Sequence, residues 1–436
     1  MYKVLTTIVV GFGLAMPSAA VTLVGSAEAA LANHPQVQIA MLAMNMDKQQ
    51  SLIQQSLFLP QIGLNGSLGM QGQRGSNYEN LSYLSETEQL TVTQKLYDAS
   101  AVSLQSNLDL KIDQAYFKLR ETESMVLLDV TERYIQAAIA IDKMNLQLEE
   151  ELYSEKLLKS TKHKYRLQEV YITDVHTAQS TYDLSVSDVL LAAAELETAL
   201  ASLSEVTGQQ ASVFNPEHQL RPIIQEQSLE YWLAQARSFN YSIKAAQVAS
   251  IVAKETLDAH AYSNFPVIDA TLNIKNSTNR GGENRAPGAS GHSLVITLNM
   301  PLYQGGRVKA QRQYSKDNYA IALQERKEIE QQLTSRITAQ YLREQALVKR
   351  IEAITRALDS TQKATQAIRT GLDYGVSTLA QLLTSTKQEF QLQLQLKQTT
   401  YQAMLSLIQL KQMAGQLTIE YLGKLSKQLP MSDSAQ

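Results

Sequence analysis

No glycine interrupts the chain between Gly75 and Gly208, no proline between Pro60 and Pro216, and neither residue recurs after Gly306 until Gly371. Glycine and proline end helices, the one by conformational freedom and the other by lacking an N–H. Two stretches this long without them, rich in Gln, Leu, Ala and Ser, read as helices longer than a globular core can bury. If 99–166 is one helix, it reaches about 100 Å at 1.5 Å per residue. Leu127, Tyr134, Ile141 and Leu148 recur at seven-residue spacing with Val130, Ala137 and Met144 between them, a heptad seam. Ile351, Leu358 and Leu372, with Ile354 and Ile368, give the second stretch a similar one. Turns fall at 167–171 and 371–377, with return helices over 172–207 and 378–414.

The two stretches are copies. Tyr97 and Tyr303 lie 206 apart (303 − 97), Pro60 and Pro266 share that offset, and Tyr134/Tyr341 and Gly208/Gly415 are related by 207. Four ordered pairs in similar settings argue for a duplicated unit. The chain then divides into a signal segment (1–20), a first repeat (21–208), a linker (209–230) holding Pro216 and Pro222, a second repeat (231–415) and a tail (416–436).

Each long helix is preceded by a strand pattern. Leu294, Ile296, Leu298 and Met300 alternate with Ser293, Val295, Thr297 and Asn299, and Pro301, Gly305 and Gly306 then break the register before Arg307. Ile62, Leu64, Leu68 and Met70 alternate with polar neighbours, as do Ile268, Ala270, Leu272 and Ile274, while 88–96 completes the first hairpin. The strands read as about 9–10 residues, enough to cross a bilayer when tilted, with polar tips at 71–86 and 276–292. Such alternation suits either a lipid-facing barrel wall or a hairpin of a soluble sandwich.

Lys3, an apolar run over 4–16 and small residues at 17–20 read as a cleavable secretory signal; a retained anchor is the alternative, although the run is short for a span. With no cysteine there is no disulfide, thiolate metal site or lipid-bearing Cys. The six histidines show no metal-ligand spacing, GGENRAPGASG lacks the Lys-Ser/Thr of a phosphate cradle, and no nucleophile–base set is evident. No enzyme, cofactor or metal is expected. A formal charge of −3 gives no basic excess for nucleic acid.

Four transmembrane strands leave two unpaired edges in lipid, so copies must associate. Two copies give eight strands and a filled interior, whereas three give twelve and room for a passage. The duplicated order, SLFLPQIGL, MPLYQGGRV and YITDVHTAQ resemble the TolC family of bacterial outer-membrane export ducts over essentially the whole mature chain. The resemblance implies an α+β, mainly α fold: a trimeric twelve-stranded barrel, four strands per subunit, continuous with a long periplasmic helical barrel. It implies an adaptor and an inner-membrane pump as partners, outer-membrane lipid around the strands, and drugs, toxins or proteins as cargo, by efflux or type I secretion. The competing reading is a secreted periplasmic scaffold or pump adaptor without a barrel.

The resemblance also assigns residues. Thr173 and Asp174 match the family's inner-turn Thr-Asp at the periplasmic aperture, while its linking Arg falls on Ser377 and its constriction carboxylates on Gln381 and Thr384. A ring of glutamines carries no charge, which puts an acidic cation-binding constriction in doubt. Asp174 could equally be a helix-start charge favoured by the dipole. The family's adaptor-docking tips fall on Gln168, Glu169, Val170, Gly375 and Val376, where its motifs are altered, so the resemblance implies no particular adaptor. The strand–helix joints are Pro60, Tyr97, Pro266, Pro301, Tyr303, Gly305 and Gly306.

Overall fold

The computed structural model describes residues 22–75, 78–209, 227–281 and 287–426. The signal segment, most of the linker and the end of the tail lie outside the described residues. In chain order the elements are α1 (Leu23–Asn33), α2 (Pro35–Ser56), β1 (Gln61–Gly75), β2 (Tyr78–Asp98), α3 (Ala99–Arg166), α4 (Ile172–Thr207), α5 (Leu229–Phe239) and α6 (Tyr241–Ala259). A 3-10 turn (His260–Asn264), β3 (Val267–Arg280), β4 (Ala289–Asn299), α7 (Arg307–Asp373), α8 (Leu379–Met413) and α9 (Ile419–Ser426) follow. Among the described residues no helix is long and apolar enough to cross a membrane. The chain divides into two compact units, and α3 and α7 contribute to both.

The unit formed by Gln38–Glu121 and Phe239–Leu333 holds one antiparallel sheet in the order β1-β2-β3-β4. Its register sorts the side chains by chemistry. Ile62, Val92, Leu272 and Leu294 form one row across all four strands, and Leu64, Leu90 and Ile274 the next. On the opposite face Gln89 and Thr91 donate to Asn273 Oδ1 at 3.0 and 3.1 Å. One face is thus apolar and open, the other polar and internally hydrogen-bonded. The strands run 15, 21, 14 and 11 residues, longer than the alternation suggested. The segments read as polar tips are largely strand where they are described, 76–77 and 282–286 lying outside the described residues: Gln71 pairs with Tyr83 and Thr278 with Glu86. A ladder ends where backbone partners end, and polar residues past the apolar rows keep theirs.

The helices of this unit follow the strand order. Ser51 of α2 donates to Asp109 of α3 at 2.9 Å, and Asn107 of α3 to Thr256 of α6 at 2.6 Å. The two strand–helix joints differ. Asp98 ends β2 and caps α3 by accepting from the Ala101 N–H at 3.0 Å. After β4 the chain turns through Gly305 and Gly306, both at positive φ (60° and 85°), before α7 begins.

The other unit gathers α1, α4, α8, α9, all but the last residue of α5 and the remaining lengths of α3 and α7. Leu23, Tyr134, Leu203, Tyr401, Ile408 and Leu422 are fully or almost fully buried in one cluster. Asp142, buried on α3, receives the Tyr401 hydroxyl at 2.9 Å and the Lys397 ammonium at 2.7 Å from α8. Both carboxylate oxygens being partnered makes a buried charge tolerable. Of the first heptad seam, Leu127, Tyr134 and Ile141 are buried but Leu148 is exposed. Burial passes instead to Leu146, Ser154 and Leu158, since a 3.6-residue helix drifts about 20° per heptad from a fixed seven-residue seam.

Candidate functional site

At the far ends of the long helices, the two turns share one hydrogen-bond plan. After α3, the Gln168 N–H donates to Tyr165 O at 2.9 Å and the Glu169 N–H to Lys164 O at 3.0 Å. After α7, Gly375 donates to Leu372 O at 3.2 Å and Val376 to Gly371 O at 2.8 Å. Both are Schellman endings with the crossing residue left-handed, Gln168 at φ 61° and Gly375 at φ 75°. Their separation, 375 − 168, is again 207.

The return helices begin alike. Asp174, third residue of α4, accepts from the Tyr171 N–H at 3.3 Å. Gln381, third residue of α8, accepts from the Thr378 N–H at 2.9 Å, while Thr378 Oγ1 takes the Gln381 N–H at 3.3 Å. Asp174 and Gln381 are therefore equivalent capping positions (381 − 174 = 207), each reaching back within its own hairpin. One turn on, Thr177 and Thr384 bond Thr173 O and Ala380 O at 2.8 and 2.9 Å. Ser377 sits over Gly371, where a Cβ would strike its hydroxyl and stand 3.2 Å from Val376. No hydrogen bond given among the described residues joins Thr173 or Asp174 to Ser377, Gln381 or Thr384.

What does tie the hairpins there was not among the residues singled out from sequence. Arg369 of α7 lies 5.5 Å from the Tyr153 ring centre on α3 and donates to its hydroxyl at 3.3 Å. Lys164 and Asp373 are 3.9 Å apart, and Leu158, Ala178 and Leu379 form a small core between the hairpins. Just beyond it a cavity of about 260 Å³ is lined by Glu150, Asp188 and Lys387 together with Thr177 and Thr384. Burial raises the Glu150 pKa; Asp188 pushes the same way, against Lys387 and the Gln147 amide. Tyr153 and Arg369 lie 216 residues apart (369 − 153), and no local pattern couples them. The usable signal was the 207 offset, which pairs Asp174 with Gln381 and Thr177 with Thr384. The joint residues Pro60, Pro266 and Pro301 sit at strand ends in the other unit, Pro60 and Pro266 immediately before β1 and β3.

A sheet apolar on one face and polar on the other, open at both edges and joined to helical hairpins, is the equipment of a subunit of a transmembrane β-barrel channel. The sequence model of the outer membrane efflux proteins matches residues 27–209 and 232–416, and the chain belongs to that family. It is 25% identical over 305 residues to the outer membrane protein TolC of Vibrio cholerae, covering 69% of each chain. It is 23% identical over 348 residues to TolC of Escherichia coli, covering 76% of this chain and 69% of that one. A membrane protein from Pseudomonas aeruginosa shares the fold at a TM-score of 0.79, 16% identity and 91% coverage of both chains. The open-state MtrE outer membrane channel of Neisseria gonorrhoeae does so at 0.74, with 16% identity and 91% coverage of both. The chain is an outer-membrane channel protein of tripartite efflux, reaching into the periplasm. The alternative of a secreted scaffold finds no support in these likenesses.

Proposed function

We propose that the working duct is a homotrimer, carrying cargo without catalysis and opened at its periplasmic end when an adaptor, joined to an inner-membrane pump, docks on the tips 168–170 and 375–376. One observation carries the assembly: the free sheet edges continue into free apolar helix faces. α2 precedes the edge strand β1 and buries Ser51 and Gln54, yet Leu42, Met46 and Ile53 on its opposite side are exposed, Met46 by 72%. α7 follows the edge strand β4 and buries Ser315 and Leu333, while Tyr314 and Ile321, about 110° around the helix from them, are exposed. In lipid neither edge can stay unpaired, so β4 of one copy meets β1 of the next and α7 meets its α2. Three copies give twelve strands, a wall wide enough to enclose water.

Within this duct Thr173, Asp174, Ser377, Gln381 and Thr384 line the closing constriction. The assembly is tested by Met46→Asp and Ile321→Asp, each of which sets a charge in the new interface. Native mass spectrometry in detergent should show a trimer for the parent chain and dissociation for both variants. A monomeric parent, or two variants as trimeric as the parent, would overturn the proposal.

A further inference from the structure

A second surface on α7 is unlike the first. Below the end of β4 a groove of about 930 Å³ opens between α6 and the start of α7, with Leu257 at one wall and Leu302 and Tyr303 at its mouth. Its lining includes the exposed Lys309, Arg312 and Lys316, spaced three and four residues apart and therefore on one helix face. Among the described residues none of the three has an ion-pair partner, whereas Arg307 beside them is held by the Gln304 side chain. Asp258 is the one carboxylate in the lining, and Asp317 of the next turn already receives Gln313 at 2.9 Å.

Three features mark this groove as more than a solvated face. First, the start of a helix favours acidic residues, and the first turn of α7 has none, holding Arg307 and Lys309 instead. Second, subtracting 206 places Ser103, Ser106 and Leu110 at the matching positions of the first repeat, so the cations are not a demand of the shared fold. Third, the apolar row Leu294, Ile296, Leu298 and Met300 leads into Leu302, which is 83% exposed, and Tyr303 beside it is 86% exposed. At 100° per residue Tyr314 and Ile321 stand about 150° around α7 from the cations, so a neighbouring copy on that face leaves the groove open.

We propose that the groove binds the headgroup of an anionic phospholipid from the periplasmic leaflet of the outer membrane. Lys309, Arg312 and Lys316 take the phosphate, and Leu302 and Tyr303 lie against the first methylenes of the chains. From Lys309 to Lys316 the helix advances about 10 Å, a spread of the same order as the roughly 5–8 Å of headgroup layer on each side of a bilayer. Cations at that level are attracted to an anionic surface, each adding a severalfold gain in affinity at about 1 kcal/mol per residue. The inference rests on the membrane location of the sheet and not on the gate or the tips.

The test uses the delipidated full-length protein in detergent, titrated with phosphatidylglycerol or phosphatidylethanolamine and followed by native mass spectrometry. The parent should retain phosphatidylglycerol at least about tenfold more tightly, and the triple variant Lys309→Gln, Arg312→Gln, Lys316→Gln should lose that preference. Arg312→Lys alone should keep it, and unchanged oligomer mass and circular dichroism would show that the triple variant folds. Equal retention of the two lipids, or a preference that survives the triple variant, overturns the proposal. Displacement of the bound lipid by millimolar inorganic phosphate alone would also overturn it, reassigning the groove to free anions.

Discussion

Gln168 and Gly375 hold the same place in two turns with the same hydrogen bonds, and only one of them suits the required backbone. A side chain at positive φ brings Cβ against the following carbonyl, at about 1–2 kcal/mol; glycine has no such contact but loses more entropy on folding, about 0.5–1 kcal/mol. Gln168→Gly should therefore stabilise the first tip by roughly 0.5–1 kcal/mol, and Gly375→Ala should destabilise the second by about 1 kcal/mol. Guanidinium unfolding followed by circular dichroism reads both, and equal shifts of the same sign would contradict the shared turn geometry. The sequence placed the second turn by Gly371, whereas the left-handed residue is Gly375 within it, and the 167–171 turn was placed without a glycine. For Asp174 a charge at the start of its own helix was one of the two readings the sequence offered; that Gln381 caps its helix in the same way was not legible, because a capping role depends on which N–H groups the turn leaves open. Resemblance named these residues for a gate, whereas the atoms first give them a local task.

At the scale of elements, the ends of α3, α4 and α8 were read to within a residue, whereas α7 runs on to Asp373 through Gly371, where the turn was expected to begin, because a single glycine is tolerated inside a helix. Strand ends were not read so closely, because β2 runs to 21 residues on pairing that no local pattern announces. The cavity lined by Glu150, Asp188 and Lys387 was likewise invisible, being assembled from α3, α4 and α8. It carries a pH prediction. Burial, with Asp188, raises the Glu150 pKa in the folded chain against the opposing effects of Lys387 and Gln147. Between the ordinary carboxyl value and the raised one, the native state holds a proton that the unfolded chain has released. Stability must then fall as pH rises through that window and stay lower above it. Glu150→Gln removes the ionisation, so its unfolding midpoint should exceed that of the parent near neutral pH and depend less on pH from about 4.5 upward. A variant less stable than the parent at neutral pH would mean that the Lys387 attraction outweighs burial.

For the whole molecule, the question is what holds the periplasmic end shut and how an adaptor could release it. Among the described residues no hydrogen bond joins the proposed constriction residues across the two hairpins, whereas Arg369 on Tyr153, Lys164 near Asp373 and the Leu158–Ala178–Leu379 contact do link them. In the gate proposed here two functions separate: the cross-hairpin contacts would fix the position of the helices, and the capping residues would shape the opening that those helices surround. Loosening a contact and trimming a lining residue should then give different signatures in planar bilayers. Arg369→Ala removes a stacked guanidinium and its hydrogen bond, so brief openings should become several times more frequent as the contact weakens by about 0.5–1 kcal/mol. Asp174→Ala, alone or with Gln381→Ala, should raise the conductance of the resting channel by widening the aperture, with opening frequency changed less. Conductance unchanged in the double variant would remove Asp174 and Gln381 from the constriction, and unchanged kinetics in Arg369→Ala would leave the closed state to contacts between subunits.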